Sequence, residues 1–311
     1  MTSMREFVIS RILCPIDFSD TSRHAIEHAL VLSRWYRAAI TALHVYPRLA
    51  PIHDLPVPED QGPDADVPRL REQTSACFGA AAGVGIGVDV LVDAGAPAAR
   101  ILERASTLPA DLIVMGTHGT SGFERLLIGS VTEKVLRKAS CPVLTVPPRV
   151  HGASRLPFTR ILCAVDFSES SLAALAAAFS LAAQSSAALV VVHALEWPWQ
   201  EPPRPTFEGL PPAQAAALAD FRRYQYASAL ARLDSLIPDE ARAKSMPTLR
   251  VTDGKSHVEI LRAADEEHAD LIVIGVRGRG QVDLALFGST TNQVVRQARC
   301  PVLTLRADSR I

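Results

Sequence analysis

The chain has 311 residues, more than the roughly 100–200 of one ordinary domain, and this length predicts two. Hydrophobic residues make up 48% and charged residues 21%, so each half can bury a core and disorder is excluded as the main state. A net charge of −1, from 32 basic and 33 acidic residues, gives no global field to hold nucleic acid or an anionic membrane, and neither is expected as a partner.

The five cysteines, Cys14, Cys77, Cys141, Cys163 and Cys300, form no C-x-x-C pair and are odd in number. A disulfide framework or zinc ribbon is not expected, and a reducing cytoplasm fits better. The residues from Met1 to Glu6 lack an apolar signal core. The apolar stretch from Ala174 to Leu195 is interrupted by Ser180, Gln184, Ser185, Ser186 and His193. It reads as helix, turn and buried strand rather than a membrane span.

The chain repeats itself. Arg11 to Ser19, RILCPIDFS, returns as Arg160 to Ser168, RILCAVDFS, and Leu43-His44-Val45 returns as Val192-His193-Ala194. Asp111 to Gly116, DLIVMG, returns as Asp270 to Gly275, DLIVIG, and Cys141 to Thr145, CPVLT, returns unchanged at Cys300 to Thr304. The first two pairs lie 149 positions apart (17 to 166) and the last two 159 (116 to 275). The second copy therefore carries extra residues between its second and fourth strands. A period of this size is a duplicated domain, not a solenoid. We place the domains at 1–148 and 155–311, joined by the segment Pro147–Pro157.

In chain order, Arg11–Ile16 is a near-continuous apolar run, as expected of a strand buried on both faces. Ser19 is placed as N-cap of the helix that follows. In the second copy that helix presents Leu172, Leu175, Ala176 and Phe179 at i, i+3, i+4, i+7. Strand two is Ile40–Val45 and Leu189–Ala194. The Pro-rich stretches Pro47–Pro68 and Trp197–Pro212 then read as long, mobile connections. Strand three is Val88–Val92 and Thr248–Thr252, and the next helix is Pro97–Ser106 and Ser256–Glu266. Strand four is Leu112–Met115 and Leu271–Ile274, the last helix starts near Gly129 and Gly288, and the last strand is Val143–Val146 and Val302–Leu305. Alternation of strand and helix predicts an α/β fold: two tandem open parallel five-stranded sheets flanked by helices. The last strands are apolar edges, which invite pairing. Strand five is expected against strand five, making an internal pseudo-dimer; a homodimer is left open.

The most informative segment starts where strand four ends. Gly116 and Gly119 let the main chain turn and expose its N–H groups, and nine residues later Gly129-Ser130 opens a helix. The first N–H groups of a helix have no partner within it. With the Ser130 and Thr132 hydroxyls and the helix dipole they make a site for phosphate. The dipole alone contributes only about 0.3–1 kcal/mol, so backbone hydrogen bonds must carry most of the affinity. The second copy keeps Gly275, Gly278, Gly288, Ser289 and Thr291. If the strand order is 3-2-1-4-5, the crevice lies between strands one and four. Asp17 and Asp166 would then face the glycine loops and accept hydrogen bonds from a ribose or a base. The alternative is that Asp17 only caps the turn into the first helix.

Gly-x-x-Gly-x9-Gly-Ser after an apolar strand, paired with Pro-x-Asp-Phe-Ser on strand one, resembles the ATP-binding branch of the universal stress protein family. The resemblance runs along nearly the whole chain, twice, as in a tandem-domain member. It implies an α/β sandwich and a site for ATP, with or without magnesium, or a related adenine nucleotide. In copy one it implies Pro15, Ile16, Asp17 and Val45 around adenine and ribose, and Met115 and Gly116 alongside. Gly119, Gly129, Ser130, Val131 and Thr132 would hold the phosphates. In copy two the matching positions are Ala164, Val165, Asp166, Ala194, Ile274, Gly275, Gly278, Gly288, Ser289, Thr290 and Thr291. Copy two departs at Pro15→Ala164 and Val45→Ala194, and it places Arg277 and Arg279 in the phosphate loop. The resemblance implies a nucleotide-dependent sensor or regulatory module in the stress response, not an enzyme. A slow ATPase or phosphotransfer enzyme and a nucleotide-free scaffold are the alternatives; dedicated catalysis is not expected, because the motif supplies no clear general base, arginine finger or Walker carboxylate.

Other signals carry less. Gly254-Lys255-Ser256 lacks the earlier glycine of a P-loop and reads as a helix start. His24 and His28 have an i, i+4 spacing compatible with a metal but read as a solvated face. His44 and His193 read as polar groups lining the crevice or satisfied in the core. Cys14, Cys163, Cys141 and Cys300 read as small buried apolar residues. Ser121 misses the spacing of a nucleophile elbow.

Overall fold

A computed structural model describes residues 6–47, 66–79, 85–117, 128–148, 158–196, 211–244, 246–276 and 288–309. The first lobe runs β1 (Arg11–Ile16), α1 (Asp20–Tyr36), β2 (Ala39–Tyr46), α2 (Val67–Cys77), β3 (Val88–Ala94), α3 (Pro97–Thr107), β4 (Leu112–Gly116), α4 (Ser130–Lys138) and β5 (Val143–Val146). The second runs β6 (Arg160–Ala164), α5 (Glu169–Ser185), β7 (Ala188–Leu195), α6 (Pro212–Ser235), α7 (Asp239–Lys244), β8 (Thr248–Asp253), α8 (Ser256–Glu266), β9 (Leu271–Gly275), α9 (Ser289–Gln297) and β10 (Val302–Leu305). The stretch from Ala174 to Leu195 is the end of α5, a turn and β7, as its two periods predict.

The strands form one sheet in the order β3-β2-β1-β4-β5-β10-β9-β6-β7-β8. Each half thus has the expected 3-2-1-4-5 order and is parallel throughout. The halves meet strand five to strand five: β5 and β10 pair antiparallel, with Leu144 opposite Leu303. The Thr145 hydroxyl donates to the Val302 carbonyl and the Thr304 hydroxyl to the Val143 carbonyl, both at 3.2 Å. An edge that would otherwise present unpaired peptide groups is closed by its own duplicate.

Side chains of β1 alternate between two cores, as period two requires. Ile12, Cys14 and Ile16 join Ala25, Ile26 and Ala29 of α1 on one face, together with the corresponding residues of the second lobe. Leu13 joins Ile101 of α3 and Val135 and Leu136 of α4 on the other. The segment before β1 ties the lobes together. Phe7 N–H donates to the Ser180 hydroxyl at 2.7 Å, the Gln184 amide donates to the Phe7 carbonyl at 3.0 Å, and the Tyr36 hydroxyl donates to the Gln184 carbonyl oxygen at 2.7 Å.

One expectation is corrected. The face assigned to the first helix of the second copy is wrong at two of its four positions: Leu172 and Ala176 of α5 are exposed, whereas Leu175 and Phe179 are buried. The buried face is broad and made largely of small residues, including Ser170, Ser171, Ala174, Ala177 and Ala178. It packs on the sheet and also receives the Phe7 segment. The connections after strand two lead into helices that the sequence reading did not place. α2 and the 24-residue α6, with α7 behind it, begin at their ends, and α6 with α7 takes up the extra length of the second copy. Residues 48–65, 197–210 and 149–157, which hold most of both connections and of the linker, lie outside the described residues.

Candidate functional site

At the carboxyl end of β1 the chain must leave the sheet and enter α1 within three residues. It does so through a left-handed Phe18 (φ 64°), an uncommon state for a bulky residue and one that costs about 1–3 kcal/mol. Asp17 and Ser19 hold that turn. Asp17 Oδ1 accepts from Ser19 N at 3.1 Å, from Ser19 Oγ at 2.5 Å and from Ser22 Oγ at 2.6 Å. Ser19 Oγ caps α1 by accepting from Ser22 N at 3.2 Å. Phe167 repeats the backbone (φ 64°). Asp166 Oδ1 accepts from Ser168 N at 3.0 Å and Ser168 Oγ at 2.6 Å, and Ser168 caps α5. The turn-capping reading of Asp17 therefore holds for one carboxylate oxygen, and the residue still borders the crevice.

Across the crevice the helix starts are different. Gly129 and Gly288 stand at the N-caps of α4 and α9, and no side chain caps either helix. α1 and α5 begin with a serine whose hydroxyl satisfies one free N–H group; α4 and α9 have no such cap, and their first N–H groups face the cavity. Thr132 departs from its expected part. Its hydroxyl is buried and donates to the Gly116 carbonyl at 3.0 Å, and Thr291 does the same to Gly275 at 2.7 Å. These hydroxyls pin the helix start to the end of the strand and are spent there as donors, so from α4 the Ser130 hydroxyl and the backbone N–H groups are left to border the cavity.

Gly116 and Gly275 are required by close approach. A Cβ on Gly116 would lie 2.9 Å from Thr21 Cβ, and one on Gly275 would lie 2.7 Å from the backbone of Ser170 and Ser171. The first turns of α1 and α5 can thus sit directly on the ends of β4 and β9.

These features enclose one cavity in each lobe, between strands one and four as the winding order predicts. The first, about 350 Å³, is lined by Pro15, Ile16, Asp17, Val45, Met115, Gly116, Gly129, Ser130, Val131 and Thr132 of the expected set. The second, about 450 Å³, is lined by Ala164, Val165, Asp166, Ala194, Ile274, Gly275, Gly288, Ser289, Thr290 and Thr291. Gly119, Gly278, Arg277 and Arg279 lie outside the described residues. Both volumes fall in the range of small-molecule sites, roughly 300–1,000 Å³.

A match to the model of the universal stress protein family runs over residues 9–147 and again over 157–306. The chain belongs to the universal stress protein family. A universal stress protein of Methanocaldococcus jannaschii is 35% identical over 153 residues, 45% of this chain and 84% of that one. One of Mycolicibacterium smegmatis is 28% identical over 308 residues, 95% and 96% of the two chains. Among solved structures, a universal stress protein from Archaeoglobus fulgidus shares the fold with a TM-score of 0.63 at 23% identity, covering 97% of both chains.

Within this universal stress protein fold the cavities also recruit residues that motif reasoning passed over. Ser22 and Ser171 line them through the turn just described, and Ile101 and Ile260 come from the helix after strand three. Ser22 follows Ser19 by three residues, as Ser171 follows Ser168, and that repeated spacing was the available signal. His44 and His193 line the cavities as well. His44 Nδ1 donates to the Ile16 carbonyl at 3.0 Å and His193 Nδ1 to the Val165 carbonyl at 2.7 Å, and the rings lie tilted against Phe18 and Phe167 with centroids 4.4 and 4.7 Å apart. They brace the strained turn. Cys14 and Cys163 are fully buried beside the site, and burial pushes both thiols far up from their ordinary value, so neither serves as a nucleophile. Among the described residues no group of His, Cys, Asp and Glu could hold a metal by itself, and no helix is long and apolar enough to cross a membrane.

Proposed function

We propose that this chain is an adenine-nucleotide-binding stress-response protein, a sensor or regulatory module with ATP as its ligand. The observation that carries the reading is the contrast between capped and uncapped helices. In each lobe the helix that starts beside the end of strand four, α4 or α9, has no side-chain cap and faces the cavity, whereas α1 or α5 across the crevice is capped by a serine, and an aspartate there closes the sugar side. Peptide N–H groups there suit phosphate oxygens, and the Ile16, Val45 and Met115 side chains suit a flat base. Magnesium, where present, would arrive with the phosphates, and the Ser130 hydroxyl is the side chain placed to meet it.

In the first cavity one detail favours binding over catalysis. Asp17 is the one carboxylate among the described residues lining the first cavity, and its Oδ1 already accepts three hydrogen bonds within the turn. A general base must have a lone pair within reach of the proton it takes. A reducing compartment such as the cytoplasm fits cysteines that are unpaired, four of them buried.

Mass spectrometry of nucleotide released from freshly purified protein, with calorimetry of added ATP, tests this reading. Adenine nucleotide recovered, and ATP binding lost when Ser130→Glu and Ser289→Glu place carboxylates at both helix starts, is the expected result. Absence of ATP binding to the unaltered protein would overturn it. Phosphate release at several turnovers per second would turn the reading toward an enzyme.

A further inference from the structure

The two cavities differ most at the end away from α4 and α9. In the first, Pro47 and Pro97 line that end; in the second, the positions in phase with them are Glu196 and Ser256. Proline has no N–H and no side-chain acceptor. Glu196 follows the last residue of β7, and its Oε1 accepts from Ser256 N, the first residue of α8, at 2.6 Å. That bond holds the side chain at the cavity mouth. The other oxygen, Oε2, has no partner among the described residues.

The sheet order fixes what part of a ligand this carboxylate meets. β7 is separated from β9 by β6, so the end of β7 stands about 10 Å from the end of β9 at the usual strand spacing. With phosphates at the start of α9, which the Thr291 hydroxyl ties to the end of β9, the ligand atoms beside Glu196 belong to the nucleoside. An ionised carboxylate only accepts hydrogen bonds, so it meets donors: ribose hydroxyls or the amino group of a base.

We propose that Glu196 makes the second cavity more selective than the first for nucleosides presenting hydrogen-bond donors: the two share an aspartate, Asp166 or Asp17, but the first has Pro47 in place of Glu196. The inference rests on the nucleotide reading above. It makes the duplicated sites unequal in what they recognise, so one chain answers to two ligand populations.

Calorimetry on the full-length chain tests it. Ser130→Glu leaves the second cavity as the reporter, and Ser289→Glu leaves the first. Each is titrated with ATP, 2′-deoxy-ATP, 3′-deoxy-ATP and inosine triphosphate. In the Ser130→Glu chain at least one analogue should bind about fivefold or more weakly than ATP, within the range of one charge-assisted hydrogen bond. A deoxy analogue that loses affinity assigns the donor to the sugar, and the inosine nucleotide assigns it to the base. Adding Glu196→Gln keeps an acceptor for Ser256 N and turns the other oxygen into a donor. It should bring that ratio to within about twofold of the same ratio in the Ser289→Glu chain, and it should leave every ratio of the Ser289→Glu chain unchanged. A flat analogue series in the Ser130→Glu chain, or a ratio that survives Glu196→Gln, would overturn the inference while leaving nucleotide binding intact. Failure of ATP itself to bind in both backgrounds would bring down the nucleotide reading, and this inference with it.

Discussion

Phe18 and Phe167 hold the same left-handed backbone, φ 64° in each lobe, and each lies against a histidine from the neighbouring strand. Two separate copies of the chain thus retain one strained residue at one point, the step from the first strand into the first helix. Without it the aspartate before and the serine after would not share a turn. The strain is held in place by the ring contact and by the bond from the histidine Nδ1 to the carbonyl of Ile16 or Val165.

A pair of substitutions separates strain from ring contact. Phe18→Ala removes the ring but keeps a Cβ in the left-handed state, whereas Phe18→Gly removes both. Since a Cβ costs roughly 1–2 kcal/mol in that conformation, the glycine variant should be the more stable of the two by about 1 kcal/mol. Denaturant unfolding monitored by circular dichroism checks the order. An alanine variant equal to or more stable than the glycine variant would mean the turn relaxes once the ring is gone.

The seam between the lobes yields a second expectation. Leu144 and Leu303 face each other across β5 and β10 and are 2% and 3% exposed. Leu144→Ala and Leu303→Ala should each cost about 2–5 kcal/mol. Because both empty the same space, the double variant should fall short of the sum by about 0.5 kcal/mol or more. Strict additivity would show that the two side chains do not share a cavity.

What could be read in advance followed from how each element is buried. Strands β1, β4, β6 and β9 are covered on both faces, so their residues form apolar runs that the duplication prints twice. α6 offered no such signal: of its 24 residues only Ala229 and Leu233 are buried, and Phe221, Tyr224 and Tyr226 are exposed. A helix that touches the core at one end has no apolar stripe to read. α5 failed in the opposite way, because small residues on most of its circumference are buried and a four-residue stripe is too narrow a template. In the site, glycines and aspartates stood out, but Thr132 was read as a phosphate donor because nothing in the sequence reveals that its hydroxyl is turned back to Gly116.

His28 supplies a pH dependence. It is buried on α1, and its Nδ1 lies 2.8 Å from the His24 carbonyl. Loss of hydration pushes its pKa below the ordinary 6.5, more than the His24 carbonyl and Glu27 push it back, with His24 adding a small further lowering. The folded state thus binds this proton less readily than the unfolded state. Its contribution to stability is complete above about pH 6.5 and is lost as pH falls toward the folded-state value. Melting temperature should drop between pH 7.5 and 5, and His28→Leu should flatten that part of the profile. An unchanged slope in the variant would place the acid sensitivity elsewhere.

Gly116 and Gly275 connect packing to the ligand. A methyl group on Gly116 meets Thr21 Cβ and Oγ1 at 2.9 Å and its carbonyl carbon at 3.1 Å, and one on Gly275 meets backbone atoms of Ser170 and Ser171 more tightly, at 2.7 Å. Overpacking of this kind costs about 1–3 kcal/mol, with Gly275→Ala expected at the upper end and Gly116→Ala at the lower. Relief requires the first turn of α1 or α5 to lift from the sheet, which carries Asp17 or Asp166 away from the start of α4 or α9. Each substitution should therefore weaken ATP binding in its own lobe and leave the other lobe unchanged, with the larger loss in the second. Calorimetry in the Ser130→Glu and Ser289→Glu backgrounds resolves the two sites. Equal losses in both lobes from either single substitution would show that the sheet transmits the displacement across β5 and β10.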